Sequence, residues 1–177
     1  MPLVTSYLVT SEKPERMFKV RIGVFSDTHN NLTLAKEVLN KLRPLDLLLH
    51  AGDHYRDGRI LEKQFEVNTK VVVGNCDFFS GGPEEEIIEL GENTLLLTHG
   101  HKYGVKNTLQ RLYYRSQEVG ANIVVFGHTH VPLYVIENNV HFLNPGSLTL
   151  PRGNSSPSYG IITLGTKMEI RLEGIVK

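Results

Sequence analysis

The sequence has very little cysteine and no surplus of charge. Its 177 residues include one cysteine, Cys76, so no disulfide can form within the chain. Because disulfides are typical of secreted proteins, this near absence predicts a cytoplasmic protein. Lys plus Arg and Asp plus Glu are equal at 19 each. A neutral chain, without a basic stripe or an aromatic platform, gives no sign of nucleic-acid binding or of attraction to a membrane surface.

Long apolar runs are missing as well. No run approaches the roughly 18 residues of a membrane span, and residues 1–18 lack the basic start and apolar core of a signal peptide. We expect residues 1–18 to be a loose N-terminal extension. We expect residues 19–177 to form one domain, because chains of this length usually do and the hydrophobic content of 40% can fill a core.

Strand and helix patterns alternate along the first two thirds of the chain. Residues 19–26 alternate as a strand does, and Asn31 can cap a helix that carries Leu34, Val38 and Leu42 on one face. Further strands are predicted at residues 46–50, 70–73, 87–90, 94–98 and 122–126, with helices at 58–65 and around 109–119. This alternation is typical of an α/β protein with a mainly parallel sheet.

The last third is strand after strand, which indicates added antiparallel hairpins. Strands are predicted at residues 133–137, 140–143, 159–164 and 167–172, with tight turns at Asn138-Asn139 and Gly165-Thr166. Two sheets packed face to face, with helices outside, would accommodate both parts of the chain.

Five predicted strands end in side chains that can bind metal ions. The motifs are, in chain order, Asp27-Thr28-His29, Gly52-Asp53-His54, Gly74-Asn75-Cys76-Asp77, His99-Gly100-His101 and Gly127-His128-Thr129-His130. Ligands bind at the carboxyl ends of the strands in open α/β sheets, so strands of common direction would bring these motifs to one rim. Residues two apart in extended backbone face the same side, which suits Asp27 with His29 and His128 with His130.

Each motif alone has an ordinary explanation as a turn or an exposed loop. All five occur in regular order, and each follows a predicted strand. Together they favour a shared metal site. Carboxylate, amide and imidazole donors together suit Mn, Fe, Zn or Ni better than calcium. His50 and His141 lie within strand patterns and are interpreted as structural, while the role of His54 is left open.

The five motifs, followed by Asn144-Pro145-Gly146-Ser147, resemble the calcineurin-like metallophosphoesterase superfamily over about residues 20–172. Within it, the chain is most similar to the small microbial phosphodiesterase branch, the YfcE-like group. The resemblance implies an α/β fold in which a two-sheet β-sandwich is flanked by helices. It also implies hydrolysis of small phosphate esters, most simply phosphodiesters, by a hydroxide that bridges two divalent cations.

Seven positions match the cation ligands of that superfamily: Asp27, His29 and His130 for the first cation, Asn75, His99 and His128 for the second, and Asp53 for both. Mn²⁺ is the expected ion, with Ni²⁺, Fe²⁺ and Zn²⁺ as alternatives. Four further residues are candidates to touch the substrate or to support the ligands: His101, Cys76, Asp77 and His54.

Two alternatives stay open at this point. A eukaryotic retromer subunit shares the implied fold and serves as a protein-binding scaffold, although the complete set of seven donors favours an enzyme. Cys76 stands where phosphoprotein phosphatases carry a histidine thought to protonate the leaving group. A cysteine there is expected to be a thiolate beside two cations, or simply a small residue that fills the turn, and either weakens the case for protein dephosphorylation. A homo-oligomer is compatible with the sequence.

Overall fold

The computed structural model describes residues 19–78 and 80–175, so the predicted extension over residues 1–18 lies outside it. Ten strands are present in this part of the chain: β1 Val20–Phe25, β2 Leu47–His50, β3 Thr69–Val71, β4 Glu85–Leu90, β5 Asn93–Thr98, β6 Ile123–Val125, β7 Leu133–Glu137, β8 Val140–Asn144, β9 Ser158–Leu164 and β10 Glu169–Gly174. Three α-helices, α1 Thr33–Leu42, α2 Tyr55–Phe65 and α3 Gln110–Glu118, and a 3-10 turn, His101–Tyr103, connect them. None of these helices is long and apolar enough to cross a membrane.

The strands form two mixed sheets of five. The first has the order β10-β9-β1-β2-β3, in which β1, β2 and β3 are parallel. The second has the order β4-β5-β6-β8-β7, in which β5, β6 and β8 are parallel. The two C-terminal hairpins are divided between the sheets, since β7 pairs with β8 in the second and β9 with β10 in the first.

Alternation along the strands produces a four-layer structure. In β1, Ile22 and Val24 face the second sheet, where they join Leu97 and Val125 in the core between the sheets. Phe25 faces the other way and packs against α1 and α2. The outer face of the second sheet is covered by α3 in the same manner. The predicted α/β fold, a two-sheet β-sandwich flanked by helices, is therefore confirmed.

Local predictions hold in most places and differ in three. Asn31 is not the N-cap of α1: Leu32 occupies that position, and Asn31 Oδ1 accepts the Thr33 N–H at 3.2 Å from one residue before it. The helix predicted at residue 58 begins earlier, at Tyr55, because Asp77 Oδ1 accepts the Tyr55 N–H at 2.6 Å. The turn predicted at Gly165-Thr166 is a loop over residues 165–168, and Met168 in it packs against the core between the sheets.

Candidate metal centre

The five motifs meet where the parallel strands of both sheets end. Asp27 N–H donates to Gly52 O at 3.0 Å, which joins the turns that follow β1 and β2. The second sheet is tied to the first there, since His99 Nδ1 lies 2.7 Å from Ala51 O. The expectation that strands of common direction would gather these motifs at one rim is confirmed, with the refinement that three come from one sheet and two from the other.

One half of the centre is built from Asp27, His29 and His130. His130 Nδ1 lies 2.7 Å from Leu150 O, and a carbonyl oxygen can only accept, so Nδ1 carries the proton of the neutral ring. Nε2 then presents a lone pair, 3.1 Å from Asp27 Oδ1 and 3.3 Å from His29 Nε2. The Nδ1 contact to a backbone carbonyl is the usual outer hydrogen bond of a metal-binding histidine.

Asp27 uses one carboxylate oxygen for the protein and leaves the other free. Oδ2 accepts hydrogen bonds from Ser26 Oγ at 2.6 Å and from the backbone N–H of His128 at 3.0 Å. Oδ1 is buried and has no hydrogen-bond partner among the described residues; its approach to His130 Nε2 lacks hydrogen-bond geometry. A buried carboxylate oxygen facing a histidine lone pair fits a cation better than it fits an empty pocket.

The other half is built from Asn75, His99 and His128. The contact of His99 Nδ1 with Ala51 O again leaves Nε2 as the lone-pair atom. This atom lies 3.2 Å from Asn75 Oδ1 and 3.3 Å from Asp53 Oδ1. The His128 ring lies 5.1 Å from the His99 ring, centroid to centroid.

Asp53 lies between the halves with one oxygen toward each. Its Oδ1 is the atom beside His99, and its Oδ2 lies 3.8 Å from His29 Nε2. Four residues, Asp27, His29, Asp53 and His130, each offer a ligand atom, and these atoms lie within 4.8 Å of one another. The donor set and its spacing therefore fit divalent cations, which are bound by histidine nitrogens and carboxylate oxygens.

Glycines let the motif loops pack closely around the carboxylates. A Cβ added to Gly74 would lie 2.2 Å from Asp53 Oδ1, and one added to Gly127 would lie 2.0 Å from Ser26 Oγ. Both positions therefore exclude any side chain. Glycine at these positions lets the backbone of each loop lie directly against its neighbour.

Burial keeps most of the histidines neutral. It lowers the pKa of His29 and His101, and it lowers the pKa of His128 to about 4. Burial alone would also lower the pKa of His130, but the nearby Asp27 carboxylate outweighs it and raises that pKa. For Asp27, burial favours a raised pKa, yet the contacts with His130, His99 and Ser26 prevail and lower it. Neutral imidazole and ionised carboxylate are the protonation states that bind cations.

The four supporting candidates lie around these ligands. The His101 ring lies 5.3 Å from that of His99, and its Nδ1 is buried without a hydrogen-bond partner among the described residues. The His54 ring lies 5.2 Å from that of His29. Both oxygens of Asp77 accept backbone N–H groups, from Tyr55 and Gly74, so this carboxylate braces the turn after β3.

Cys76 lies against Asp53 by two contacts. Its N–H donates to Asp53 Oδ1 at 3.0 Å and its thiol donates to Oδ2 at 3.3 Å. Burial, followed by the hydrogen bond and charge of Asp53, raises the pKa of Cys76 to about 11. The thiol of the cation-free chain is therefore protonated, and the thiolate expected from the sequence would require bound cations to reverse this shift.

Sequence reasoning gave no role to several residues that support the centre. Ser147 Oγ donates to Asp27 O at 2.8 Å, and Asn144 Nδ2 donates to Gly127 O at 2.8 Å, so the Asn144–Ser147 segment braces both turns. Asp57 is 2% exposed and contacts the turn after β1. The segment Asn144–Ser147 was visible in the sequence as part of a resemblance, whereas Asp57 lies just before the helix predicted over residues 58–65 and no motif includes it.

The interpretation of the structural histidines agrees with their contacts. His50 is fully buried and lies between Thr28 Oγ1 and the Gly52 N–H, away from the cation-facing atoms. Burial lowers the pKa of His50 to about 4, so its ring is neutral. His141 contacts the Tyr134 hydroxyl at 2.8 Å on the hairpin of β7 and β8.

Comparison with known proteins agrees with this geometry. Residues 20–167 match the model of the calcineurin-like phosphoesterase superfamily domain. The chain is 39% identical over 122 residues to Probable metallophosphoesterase YsnB of Bacillus subtilis, an alignment that covers 68% of this chain and 69% of that protein. It is 29% identical over 162 residues to Phosphodiesterase YfcE of Escherichia coli, which covers 77% of this chain and 84% of the relative.

Solved structures show the same fold. A conserved protein of Streptococcus pneumoniae, described as a predicted phosphoesterase, superposes with a TM-score of 0.76 at 34% identity and covers 88% of this chain and 90% of its own. Vacuolar Protein Sorting 29 from Cryptosporidium parvum superposes with a TM-score of 0.70 at 20% identity, over 90% of this chain and 100% of that one. The second likeness shows the fold alone. With the family model matched over most of its length, the chain belongs to the calcineurin-like phosphoesterase superfamily.

Proposed function

We propose that this protein is a metal-dependent phosphodiesterase whose centre holds two divalent cations. The observation that carries the proposal is the convergence of four ligand atoms, from Asp27, His29, Asp53 and His130, within 4.8 Å of one another. Asp27 Oδ1 is buried without a hydrogen-bond partner among the described residues and faces His130 Nε2 at 3.1 Å. A cation held by both atoms would take the place of the proton that the raised pKa of His130 favours.

Each half takes one cation in this proposal, and Asp53 serves both. Asp27, His29 and His130 would hold the first, and Asn75, His99 and His128 would hold the second. Asp53 would serve both, since its Oδ2 lies toward His29 and its Oδ1 toward His99. Mn²⁺ is the proposed ion because the mixed oxygen and nitrogen donors suit it, with Ni²⁺, Fe²⁺ and Zn²⁺ as alternatives.

The substrate in this proposal is a small phosphate ester. Bound divalent cations lower the pKa of a water molecule toward neutrality and offset the negative charge of a phosphate. The chain's own groups orient the ester, and His101 is the best placed, since its buried Nδ1 has no partner among the described residues and its ring lies beside His99. A hydrogen bond from His101 to a phosphate oxygen would satisfy that nitrogen.

A non-catalytic scaffold is the second candidate, suggested by the fold likeness to Vacuolar Protein Sorting 29. Fold alone does not separate a scaffold from an enzyme, because unrelated functions share folds. The complete set of seven metal-binding side chains, with Asp53 between the two halves, favours catalysis in this proposal.

The test is hydrolysis of bis(4-nitrophenyl) phosphate by metal-free protein, with and without added Mn²⁺. Wild type should hydrolyse the ester only with Mn²⁺, and Asp53→Asn should lose this activity. Asp46→Asn is the matched control, since this exposed carboxylate accepts from Arg21 N–H far from the centre. Binding of Mn²⁺ without hydrolysis would favour the scaffold.

A cytoplasmic location and self-association stay predictions from the sequence. Cell fractionation tests the first, and light scattering with the purified protein tests the second.

A further inference from the structure

A buried hydrogen-bond network joins the turns after β1 and β2 to the first turn of α2. Asp57 Oδ2 accepts from Thr28 Oγ1 at 2.7 Å and from Asn30 N–H at 2.9 Å. Thr28 Oγ1 also lies 3.0 Å from His50 Nε2, and Gly52 N–H donates to His50 Nδ1 at 3.3 Å. The Thr28, His50 and Asp57 side chains are each at most 2% exposed.

The hydrogens of this network can be arranged in one order. Gly52 N–H can only donate, so Nδ1 of the neutral His50 ring accepts and Nε2 carries the proton. Nε2–H therefore donates to Thr28 Oγ1, whose own hydrogen is left for the Asp57 carboxylate. Every member has a partner, which is the condition under which a buried polar network rigidifies its surroundings.

The turns that this network holds are strained. Asp27, His29 and Asn30 have φ values of 54°, 47° and 61°, and Asp53 has φ 52°. Left-handed backbone is disfavoured for non-glycine residues and persists where surrounding contacts determine it. Three of these four residues are the cation ligands proposed above.

Asp57 is not explained by its place in α2 alone. An acidic residue in a first turn interacts favourably with the helix dipole, but it does so from the surface. Asp57 is instead buried, and its Oδ2 accepts a hydrogen bond from Asn30 in the turn after β1, 27 residues away in sequence.

We propose that Asp57, Thr28 and His50 are positioning residues that hold Asp27, His29 and Asp53 in the backbone geometry needed to bind cations. The inference rests on the proposed function, since it assigns these residues to the same metal centre. None of the three faces the cations; each acts through the turns that carry the ligands.

The test is titration of Mn²⁺ into metal-stripped protein, followed by calorimetry. Thr28→Val removes the hydroxyl at the middle of the network and should weaken Mn²⁺ binding about 10–100-fold, the usual effect of losing an outer partner. Thr28→Ser keeps the hydroxyl and should restore affinity to within about threefold of wild type. Asp57→Asn, which keeps the shape and loses the charge, should weaken binding in the same range if Thr28→Val fails to fold.

Thr69→Val is the matched control. Thr69 is also buried, at 3% exposed, and its hydroxyl donates to Val67 O at the start of β3, outside the network. It should lose thermal stability as Thr28→Val does while its Mn²⁺ affinity stays at the wild-type value. Wild-type affinity in both Thr28→Val and Asp57→Asn would overturn the inference but leave the proposed function standing. Failure of wild type itself to bind any of Mn²⁺, Zn²⁺, Ni²⁺ and Fe²⁺ would overturn both.

Discussion

The two halves of the metal centre differ in how firmly the protein holds them. Asp27 is fully buried and His130 is 3% exposed, and both are fixed by hydrogen bonds to backbone groups. Asn75 in the other half is exposed, and among the described residues its side chain has hydrogen-bond contacts with His99 and Cys76 only. The first half also offers its cation more negative charge. It contains the Asp27 carboxylate in addition to Asp53, whereas Asp53 is the only carboxylate of the second half.

The same fold can therefore hold the ligand side chains of one cation site rigidly (the firm half) and leave those of the neighbouring site less constrained (the loose half). The firm half lies on the turns after β1 and β6, which the Asn144–Ser147 segment and the Asp57 network brace from behind. The loose half shares the turn after β6 through His128 and takes the buried His99 from the end of β5. It differs in Asn75, which lies on the turn after β3 that Asp77 braces through two backbone N–H groups. We therefore expect the first half to bind its cation more tightly.

We expect the largest effect from Asp53→Asn, because Asp53 contacts both halves. Loss of its charge should weaken both cations together and lower phosphodiester hydrolysis by more than about 100-fold. His101→Ala should cost less, about 10–100-fold, since His101 supports the centre without facing both halves. Initial rates at saturating Mn²⁺ measure both losses, and equal losses would contradict these roles.

Acid should lower the free energy of unfolding, because it protonates His50 in the network that supports the firm half. Burial holds the pKa of His50 at about 4, against about 6.5 in the unfolded chain. The unfolded state therefore binds more protons between these values, and the free energy of unfolding falls as the pH drops from 6.5. The loss from His50 should reach about 2 kcal/mol at pH 5.

Urea unfolding at pH 7, 6 and 5, with a chelator present, measures this loss. His50→Gln keeps a donor for Thr28 and removes the titrating group, so its stability should fall less steeply over the same range. Parallel slopes in the two proteins would show that His50 is not buried and neutral.

The two halves can also be separated by substitution. Asn75→Ala should leave one tight Mn²⁺ per chain and abolish the weaker one, while Asp27→Asn should remove the tight one. In wild type, the two dissociation constants should differ by at least about tenfold, or 1.4 kcal/mol. Calorimetric titration gives both constants, and two equal sites would show that the added carboxylate of the first half has no effect.

The smallest effect is expected at Cys76, on the loose side. Its thiol contacts Asp53, but the proposal assigns it no proton transfer, so Cys76→Ala should lower aryl phosphodiester hydrolysis by less than about tenfold. Alkyl esters should be poorer substrates than aryl esters in wild type, because no acid is assigned to their leaving group, and Cys76→His should help them selectively. Loss of both activities in Cys76→Ala would give Cys76 a direct catalytic role.

Much of the fold could be predicted because its information is local. The alternation in β1 shows which side faces the core, and the Asn138-Asn139 turn, with φ values of 47° and 64°, makes the tight hairpin that its sequence predicts. The division of the C-terminal strands between two sheets could not be predicted, because it depends on pairings such as the antiparallel one of Val20 with Leu164 across most of the chain. The early start of α2 has the same origin, since Asp77 supplies its cap from 22 residues away.

The metal centre likewise has a part that the sequence predicts and a part that it does not. The candidate ligands follow strands in motifs that a sequence displays directly, and the structure brings them together at one rim. Their supports are invisible in sequence, since Ser147 reaches Asp27 across 120 positions and Asp57 reaches Asn30 across 27. Such contacts follow from tertiary packing, so no local sequence pattern predicts them.

The central claim is that hydrolysis depends on cations in both halves. The most direct measurement adds Mn²⁺ stepwise to metal-free protein while bound metal and bis(4-nitrophenyl) phosphate hydrolysis are followed together. We expect little hydrolysis while the first equivalent binds and a rise in rate with the second. Full activity at one equivalent would contradict the two-cation centre, and two bound equivalents without hydrolysis would contradict the assignment as an enzyme.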